Sequence, residues 1–298
     1  MKISVEIYTL AERFGDFKAI EILKEAGFDA FDFSAYFPEY MDDTHDKAFY
    51  EEIKKYAEDK GVYFNQAHGP ATSSFVDEEE TKKRYKEIVA TIKNASYIGA
   101  ETIIIHPCQH LDYYEKGNAE KLFEINMKFY SSLIPYCEEY GIKVAVENMW
   151  QYPGMISHST CSRPDEFIRY VDELNSDSIV ACLDIGHTML CNELPHEFIR
   201  KLGGKRLKNL HVHDVEANTD AHTLPFFGII DWDKVMEALA DINYTGDLTY
   251  EANGFIKQPG RSWEEKSKPV ELYPHYLKLM AETGRYLISK FETYSKNE

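Results

Sequence analysis

The sequence has few cysteines, and their spacing excludes the common structural uses of that residue. The five cysteines lie far apart with no C-x-x-C pair: Cys108, Cys137, Cys161, Cys182 and Cys191. This pattern argues against a disulfide framework and against a thiolate zinc site, so we expect reduced, mostly structural cysteines. A secretory leader and a run of roughly 18 apolar residues are also missing. We therefore expect a cytosolic protein.

Basic residues are in short supply as well. Lys and Arg number 33 against 51 Asp and Glu, which gives a formal net charge of −18. A surface of that sign repels polyanions on average, because like charges raise the free energy of approach. Nucleic acid and anionic membrane are therefore not the expected partners.

A glycine-rich phosphate loop is absent too, since neither G-x-G-x-x-G nor a Walker sequence occurs. What the chain does have is a regular alternation of apolar, β-branched runs with longer amphipathic runs. The strand-like runs cover 3–10, 28–35, 62–68, 102–107, 142–148, 179–184, 207–213 and 247–252, and the last helix-like run covers about 270–294. Eight such pairs without a linker predict a single α/β domain over residues 1–298, a (β/α)₈ TIM barrel rather than a doubly wound sheet.

Acid, base and ligand types stand at the predicted strand ends, where a barrel carries its active site. From the third strand onward these residues are His68, His106, Glu147, Asp184, His211 and Glu251. Their spacing of about one βα unit places one group on each successive strand. Burying several carboxylates and imidazoles together costs many kcal/mol unless a cation balances them. The set therefore predicts a metal site.

Each of these residues alone has an ordinary explanation. Asp184 or Glu147 could cap the helix that follows its strand, and a lone His68 or His106 is commonly a hydrogen-bonded core histidine. The joint pattern favours the site over those readings.

Further groups follow the later strands. His187 comes three residues after Asp184, and Asp220 and His222 form a D-x-H pair in the predicted loop from about 214 to 230. Solvated loop residues are the ordinary reading of that pair. We expect His213 and Glu216 at the rim. The basic residues that could bind a substrate phosphate are Lys257, Arg261 and Lys266, which follow the eighth strand.

These motifs resemble the xylose isomerase-like TIM barrels, a superfamily of sugar phosphate isomerases/epimerases, ketose 3-epimerases, inosose dehydratases and the endonuclease IV type of apurinic endonuclease (AP endonuclease family 2). The resemblance spans nearly the whole chain and is most specific at 144-VAVEN, 182-CLDIGH, 210-LHVHD and 225-PFFGIIDW. It implies that the shared metal is held by Glu147, Asp184, His211 and Glu251. In the endonuclease members further ligands build a three-zinc cluster, and the resemblance to these extends to His68, His106, His187, Asp220 and His222.

Three carboxylates and one imidazole make a hard, oxygen-rich site, which favours Mn²⁺, with Mg²⁺, Co²⁺ and Fe²⁺ as alternatives. Zn²⁺ becomes the better choice if the additional histidines also bind. The expected function is a metal-dependent isomerase or epimerase of a sugar or sugar-derived hydroxy-ketone. A proton would move through a metal-stabilised enediolate between Glu147 and Glu251, while His187 holds a hydroxyl. Tyr8, Phe64 and Trp150 are candidates for an apolar wall against the sugar.

Three alternatives remain: a multi-zinc hydrolase of the endonuclease IV type, an inosose dehydratase-like lyase, and a non-catalytic sugar-binding barrel. The acidic run in 69-GPATSSFVDEEE disfavours DNA cleavage. Ketose epimerases tend to carry an arginine shortly after the strand-7 histidine, and 214-DVEANTD has none. The expected partner is a small sugar or sugar acid, with a homo-oligomer left open.

Overall fold

The chain forms a nearly closed barrel of eight parallel strands surrounded by helices. This computed structural model describes residues 1–151, 158–217, 219–256 and 269–296. The barrel strands are β1 (Ile3–Glu6), β2 (Ala30–Ser34), β3 (Tyr63–His68), β4 (Thr102–Ile105), β5 (Lys143–Glu147), β6 (Ile179–Asp184), β7 (Leu207–His211) and β10 (Leu248–Tyr250). They pair in the order β10-β1-β2-β3-β4-β5-β6-β7, and a Val212–Tyr250 bridge brings the two ends together. The predicted (β/α)₈ barrel is confirmed.

Helices follow the strands around the outside of the barrel. Their bounds are α1 (Tyr8–Phe14), α2 (Asp16–Ala26), α3 (Lys47–Asp59), α4 (Glu78–Ile98), α5 (Asn118–Tyr140), α6 (Pro164–Leu174), α7 (Ile185–Leu190), α8 (Pro195–Arg206), α9 (Trp232–Asp241) and α10 (Tyr273–Ser295). Single 3₁₀ turns occur at Pro38–Tyr40, Asn253–Phe255 and Val270–Leu272. None of the helices in the described ranges combines the length and apolarity that crossing a bilayer requires.

Helix α6 shows how the sequence sets this packing. Its buried positions Phe167, Tyr170, Val171 and Leu174 recur at three- and four-residue spacing, which places them on one face. A proline at its first position pre-sets the helical φ angle, and the helix is capped after Leu174 by Asn175, whose φ of 44° is left-handed. Each large apolar side chain buried in this way stabilises the fold by about 1.5–3 kcal/mol.

The segment after β7 departs from the predicted loop. It forms an antiparallel hairpin of β8 (Asp214–Glu216) and β9 (Thr219–Thr223), which lies outside the barrel sheet. Period-two apolar alternation does not extend through 214-DVEANTDAHT, so no strand is predicted here. The hairpin contacts α7 and positions Asp220 and His222.

Candidate metal centre

All six predicted strand-end groups lie at the carboxyl end of the barrel. His68, Glu147, Asp184 and His211 are the last residues of β3, β5, β6 and β7. His106 and Glu251 directly follow β4 and β10. Four of the six are almost completely buried: His68, Glu147, Asp184 and His211. The strands therefore bring these groups together as the sequence predicted.

The centre of the site is a four-residue group made by Glu147, Asp184, His211 and Glu251, each of which offers a ligand atom within 4.8 Å of the others. His211 Nδ1 lies 3.4 Å from Glu147 Oε1 and 3.1 Å from Glu251 Oε2. Glu147 Oε2 and both His211 nitrogens are buried without a hydrogen bond. Buried polar atoms are normally satisfied, so these orphaned donors and lone pairs fit a cation.

Histidines keep the two catalytic candidates ionised. Burial alone would raise the pKa of Glu147, but His211 and His106 beside it hold that pKa well below its usual range. Burial likewise opposes ionisation of Glu251, and His211 with His222 outweighs it and lowers the pKa of Glu251. Both carboxylates are therefore available to bind a cation or to accept a proton.

A second group shares Glu147 and His211 with the first and adds His68. His68 Nε2 lies 3.8 Å and His106 Nε2 3.1 Å from Glu147 Oε2. The Nδ1 atom of His68 donates to the Gly69 carbonyl at 2.7 Å, and that of His106 to the Ala71 carbonyl at 2.8 Å. With Nδ1 engaged in this way, Nε2 of each ring faces the carboxylates.

A third group consists of His187, His213, Asp220 and His222. His222 Nε2 lies 3.1 Å and His187 Nε2 3.8 Å from Asp220 Oδ2. Their Nδ1 atoms donate to backbone carbonyls of Glu251 (2.7 Å) and Asn148 (2.8 Å). Burial would lower the pKa of His187, but Asp184 and Asp220 raise it to about 10. The D-x-H pair thus packs among these histidines rather than lying in a solvated loop.

The expectation that His213 lies at the rim was wrong. His213 is fully buried, and its Nε2 lies 3.0 Å from Asp184 Oδ2. Its ring stacks on His222 with centroids 4.0 Å apart. Gly186 makes room for it, since a Cβ there would lie 2.1 Å from the His213 ring. The hairpin brings His222 of β9 onto the ring, whereas Glu216 is exposed as expected.

Asp184 and its neighbours are fixed by backbone hydrogen bonds. Asp184 Oδ1 accepts from the His187 backbone N–H at 2.7 Å, so Asp184 caps α7 while belonging to the four-residue group. The Asn148 side chain accepts from the Asp184 N–H at 2.7 Å and donates to the Asp184 carbonyl at 2.9 Å. The capping explanation is therefore confirmed for Asp184, and its position among the ligand candidates stays compatible with a second role.

Two acidic residues of the barrel mouth escaped the sequence analysis. Glu6 ends β1 and accepts hydrogen bonds from the Tyr36 hydroxyl and from Asn253 Nδ2. Burial, together with the charge of Glu251, raises the pKa of Glu6 to about 8. Asp32 lies inside β2 and is 1% exposed. The predicted first strand ran to residue 10, which hid Glu6 in its middle, whereas α1 begins at Tyr8.

A cavity of about 340 Å³ opens beside these groups, a size suited to a small molecule. It is lined by Ala71, His106, Gln109, Glu147, Met149, Trp150, Gln151, His187, Asp220, His222 and Glu251. Trp150 is therefore placed as predicted for a wall residue. Phe64 does not line this cavity, because it is buried against Phe31 and Phe33. Tyr8 does not line it either and packs on Tyr36 and Phe37. Lys257, Arg261 and Lys266 lie outside the described residues.

Comparison with known proteins agrees with this fold. Residues 20–270 match the family described as xylose isomerase-like TIM barrel. The chain belongs to this family. A D-psicose 3-epimerase of Enterocloster bolteae is 24% identical over 262 residues, which cover 85% of this chain and 81% of that protein. The chain spans only 61% and 49% of two further relatives, uncharacterised proteins of Methanocaldococcus jannaschii and Sinorhizobium fredii.

Solved structures show the same fold. The D-psicose 3-epimerase of Clostridium cellulolyticum H10 superimposes with a TM-score of 0.78 at 18% identity and covers 97% of this chain and 99% of that one. A protein named IOLI with a bound zinc atom gives a TM-score of 0.72 at 18% identity, with 99% of both chains covered. At such identities the likeness establishes the architecture, and the site must be argued from this chain's own residues.

Proposed function

We propose that the protein is a divalent-metal-dependent isomerase or epimerase of a sugar or sugar-derived hydroxy-ketone. The observation that carries the proposal is the pair of carboxylates Glu147 and Glu251, which line one cavity and both lie within 3.4 Å of His211 Nδ1. Relatives named as D-psicose 3-epimerases support the substrate class. Five free cysteines in the chain fit a reducing compartment such as the cytosol.

Glu147, Asp184, His211 and Glu251 would hold the cation, because their ligand atoms converge and several have no other partner. Three carboxylates favour Mn²⁺ over a softer metal, with Mg²⁺, Co²⁺, Fe²⁺ or Zn²⁺ as alternatives. When bound, such a cation supplies Lewis-acid polarisation of a carbonyl and its neighbouring hydroxyl.

The chain's own residues would move the proton. Glu147 and Glu251 stand three strands apart around the barrel, so they can approach opposite faces of a substrate carbon. One carboxylate oxygen removes the proton beside the carbonyl, and the other carboxyl group returns a proton to the opposite face, which inverts that carbon. Return to the neighbouring carbon gives isomerisation instead. His187, whose Nδ1 is tied to Asn148, lines the cavity and would bind a substrate oxygen through Nε2.

The proposal names a class of substrate, sugars and sugar-derived hydroxy-ketones, and not one particular sugar. After His211 the next arginine along the sequence is Arg261, so the hairpin offers no guanidinium for substrate hydroxyls. This difference disfavours a specificity copied from ketohexose 3-epimerases.

Deuterium exchange tests the proposal. The Mn²⁺-loaded protein should catalyse incorporation of deuterium from D₂O into a ketose next to its carbonyl, followed by NMR across a panel of ketoses and sugar acids. Glu251→Gln should abolish the exchange, because an amide cannot accept the proton. The matched control is Glu216→Gln, an exposed carboxylate of the hairpin, which should exchange like wild type.

Three outcomes would contradict the proposal. Full exchange in Glu251→Gln would remove that residue from the proton transfer. A metal-loaded wild-type protein that binds sugars but exchanges no proton would be a sugar-binding barrel. Exchange accompanied by loss of water would instead identify the dehydratase-like lyase.

A second candidate, a multinuclear hydrolase, is favoured by the orientation of four histidines. His68, His106, His187 and His222 each donate Nδ1–H to a backbone carbonyl and turn Nε2 toward a carboxylate. This is how ligand histidines are commonly prepared for zinc. If the second and third groups also held metal, those cations would supply activation of water, and hydrolysis would be the better assignment.

A further inference from the structure

The barrel interior holds a chain of buried polar side chains that ends at His211. Its members Asp32, Gln66, Asn209 and Thr249 are each no more than 6% exposed. Interiors of such barrels are usually filled by branched apolar residues. Burying amides and a carboxylate costs free energy unless each is hydrogen-bonded, so their arrangement requires a reason.

Two strand irregularities place the amides of this chain. In β3 the extra residue is Asn65, and in β7 it is Lys208, where the pairing registers shift. Each is followed directly by an amide, Gln66 and Asn209. Because alternate strand residues face opposite sides, an extra residue re-aims every side chain that follows, His211 included. The same irregularity that turns Asn209 inward therefore sets the direction of His211.

The hydrogen bonds fix the amide of Gln66 in one orientation. Gln66 Oε1 accepts from Asn209 Nδ2 at 2.9 Å and from Thr249 Oγ1 at 3.3 Å. Its Nε2 consequently faces the other way and donates to Asp32 Oδ2 at 2.7 Å. A flipped amide would set donors against donors, so Gln66 holds the Asp32 carboxylate in place.

Asp32 in turn faces His211. Asp32 Oδ2 lies 3.7 Å from His211 Nε2, while the opposite ring nitrogen faces Glu147 and Glu251. Four neighbouring histidines, His68, His106, His187 and His222, donate Nδ1–H to a backbone carbonyl, whereas both nitrogens of His211 lack a hydrogen bond. A histidine that gives one lone pair to a metal usually donates its other N–H to a carboxylate or carbonyl.

We propose that Asp32 and Gln66 are positioning residues that hold His211 with its proton on Nε2 and the lone pair of Nδ1 directed at Glu147 and Glu251. The proposal rests on the metal centre of the proposed function. Asp32 and Gln66 are not metal ligands themselves. Their role in this proposal is to preorganise His211, the one histidine of the metal centre.

Metal affinity tests this assignment without requiring turnover. Titration calorimetry with Mn²⁺ should show about 10- to 100-fold weaker binding for Asp32→Leu, the range seen when the outer partner of a ligand histidine is removed. Gln66→Leu leaves Asp32 in place and should lose less Mn²⁺ affinity than Asp32→Leu. It also tests the proposal if Asp32→Leu does not fold. The control is Asn94→Leu, which removes a fully buried amide bonded to the Tyr40 and Asp42 carbonyls. It should destabilise the fold and leave Mn²⁺ affinity unchanged.

A spectroscopic signature separates positioning from a structural role. In the Zn²⁺-loaded protein, ¹H–¹⁵N NMR should find the Nε2–H resonance of His211 shifted downfield by a hydrogen bond to the side chain at position 32, in wild type and in Asp32→Asn, which keeps an acceptor oxygen. The downfield shift should be lost in Asp32→Leu, which offers Nε2–H no acceptor. If Asp32→Leu and Gln66→Leu both bind Mn²⁺ as tightly as wild type, the positioning role is wrong and the metal centre still stands. If the wild-type protein binds no Mn²⁺, the metal centre itself is wrong.

Discussion

At the scale of single residues, Glu147 has the most demanding surroundings in the molecule. It is 1% exposed and belongs to two of the three candidate ligand groups. Four imidazoles lie within 4 Å of its carboxylate: His68, His106, His187 and His211. An ionised carboxylate in such a place is stable only while cationic charge balances it. Glu147 is a candidate ligand both in the single-metal site of an isomerase or epimerase and in the multinuclear site of a hydrolase.

A residue away from the site gives the clearest pH dependence. Burial raises the pKa of Glu166 to about 7, although Tyr113 and Arg163 oppose the shift. The folded protein therefore holds a proton that the unfolded chain releases, and stability from this group falls as pH rises from about 4.5 to about 7.

Replacing Glu166 removes that dependence. Glu166→Gln should equal wild type near pH 4.5 and exceed it by on the order of 1–3 kcal/mol above pH 7, measured by urea unfolding. The control is Glu173→Gln, on the exposed face of the same helix. A constant difference between Glu166→Gln and wild type across that pH range would show that Glu166 is not protonated in the fold.

Residue-level prediction succeeded where side chains end strands. The carboxyl ends of parallel strands meet at one face, so His68 through Glu251 could be placed together from spacing alone. His213, Asp32 and Gln66 could not, because their burial depends on the hairpin and on strand irregularities that leave no periodic signal. The direction of His211 depends on the same irregularity in β7.

At the scale of elements, the segment after β7 is organised by one buried carboxylate. Asp214 accepts hydrogen bonds from the backbone N–H groups of Val215, Phe226 and Ile230 and from the Trp232 indole. Gly228 packs so closely that a Cβ would lie 2.2 Å from Asp214 Oδ1. The motifs 210-LHVHD and 225-PFFGIIDW thus contact each other, and the shared Asp–Trp pair holds the hairpin over the site.

Substituting this carboxylate tests the element's role. Asp214→Asn replaces one acceptor oxygen by an N–H₂ group that faces buried donors, so we expect about 2 kcal/mol or more of lost stability in urea unfolding. Glu216→Gln, at the other end of β8, should change stability little because it is exposed. Equal stability of Asp214→Asn and wild type would mean that the segment is held by its apolar contacts alone.

At the scale of the whole molecule, the ionisable groups at the barrel mouth differ in composition from those on the outer surface. The net charge of −18 is spread over exposed helices, whereas the mouth gathers carboxylates and histidines in nearly equal measure. Alternation of strand-like and helix-like runs was enough to predict the barrel, since a parallel sheet covered by helices leaves few other solutions. The number of metals was not predictable, because the same ligand residues serve one ion or several.

The number and position of bound metals is therefore the measurement that tests the account most directly. Crystals of protein purified without chelator, measured on both sides of the manganese and zinc absorption edges, would locate each ion by anomalous scattering. The account predicts one ion per chain, bound by Glu147, Asp184, His211 and Glu251. Additional zinc ions among His68 and His106, or among His187, Asp220 and His222, would contradict a single-metal isomerase or epimerase and support the hydrolase.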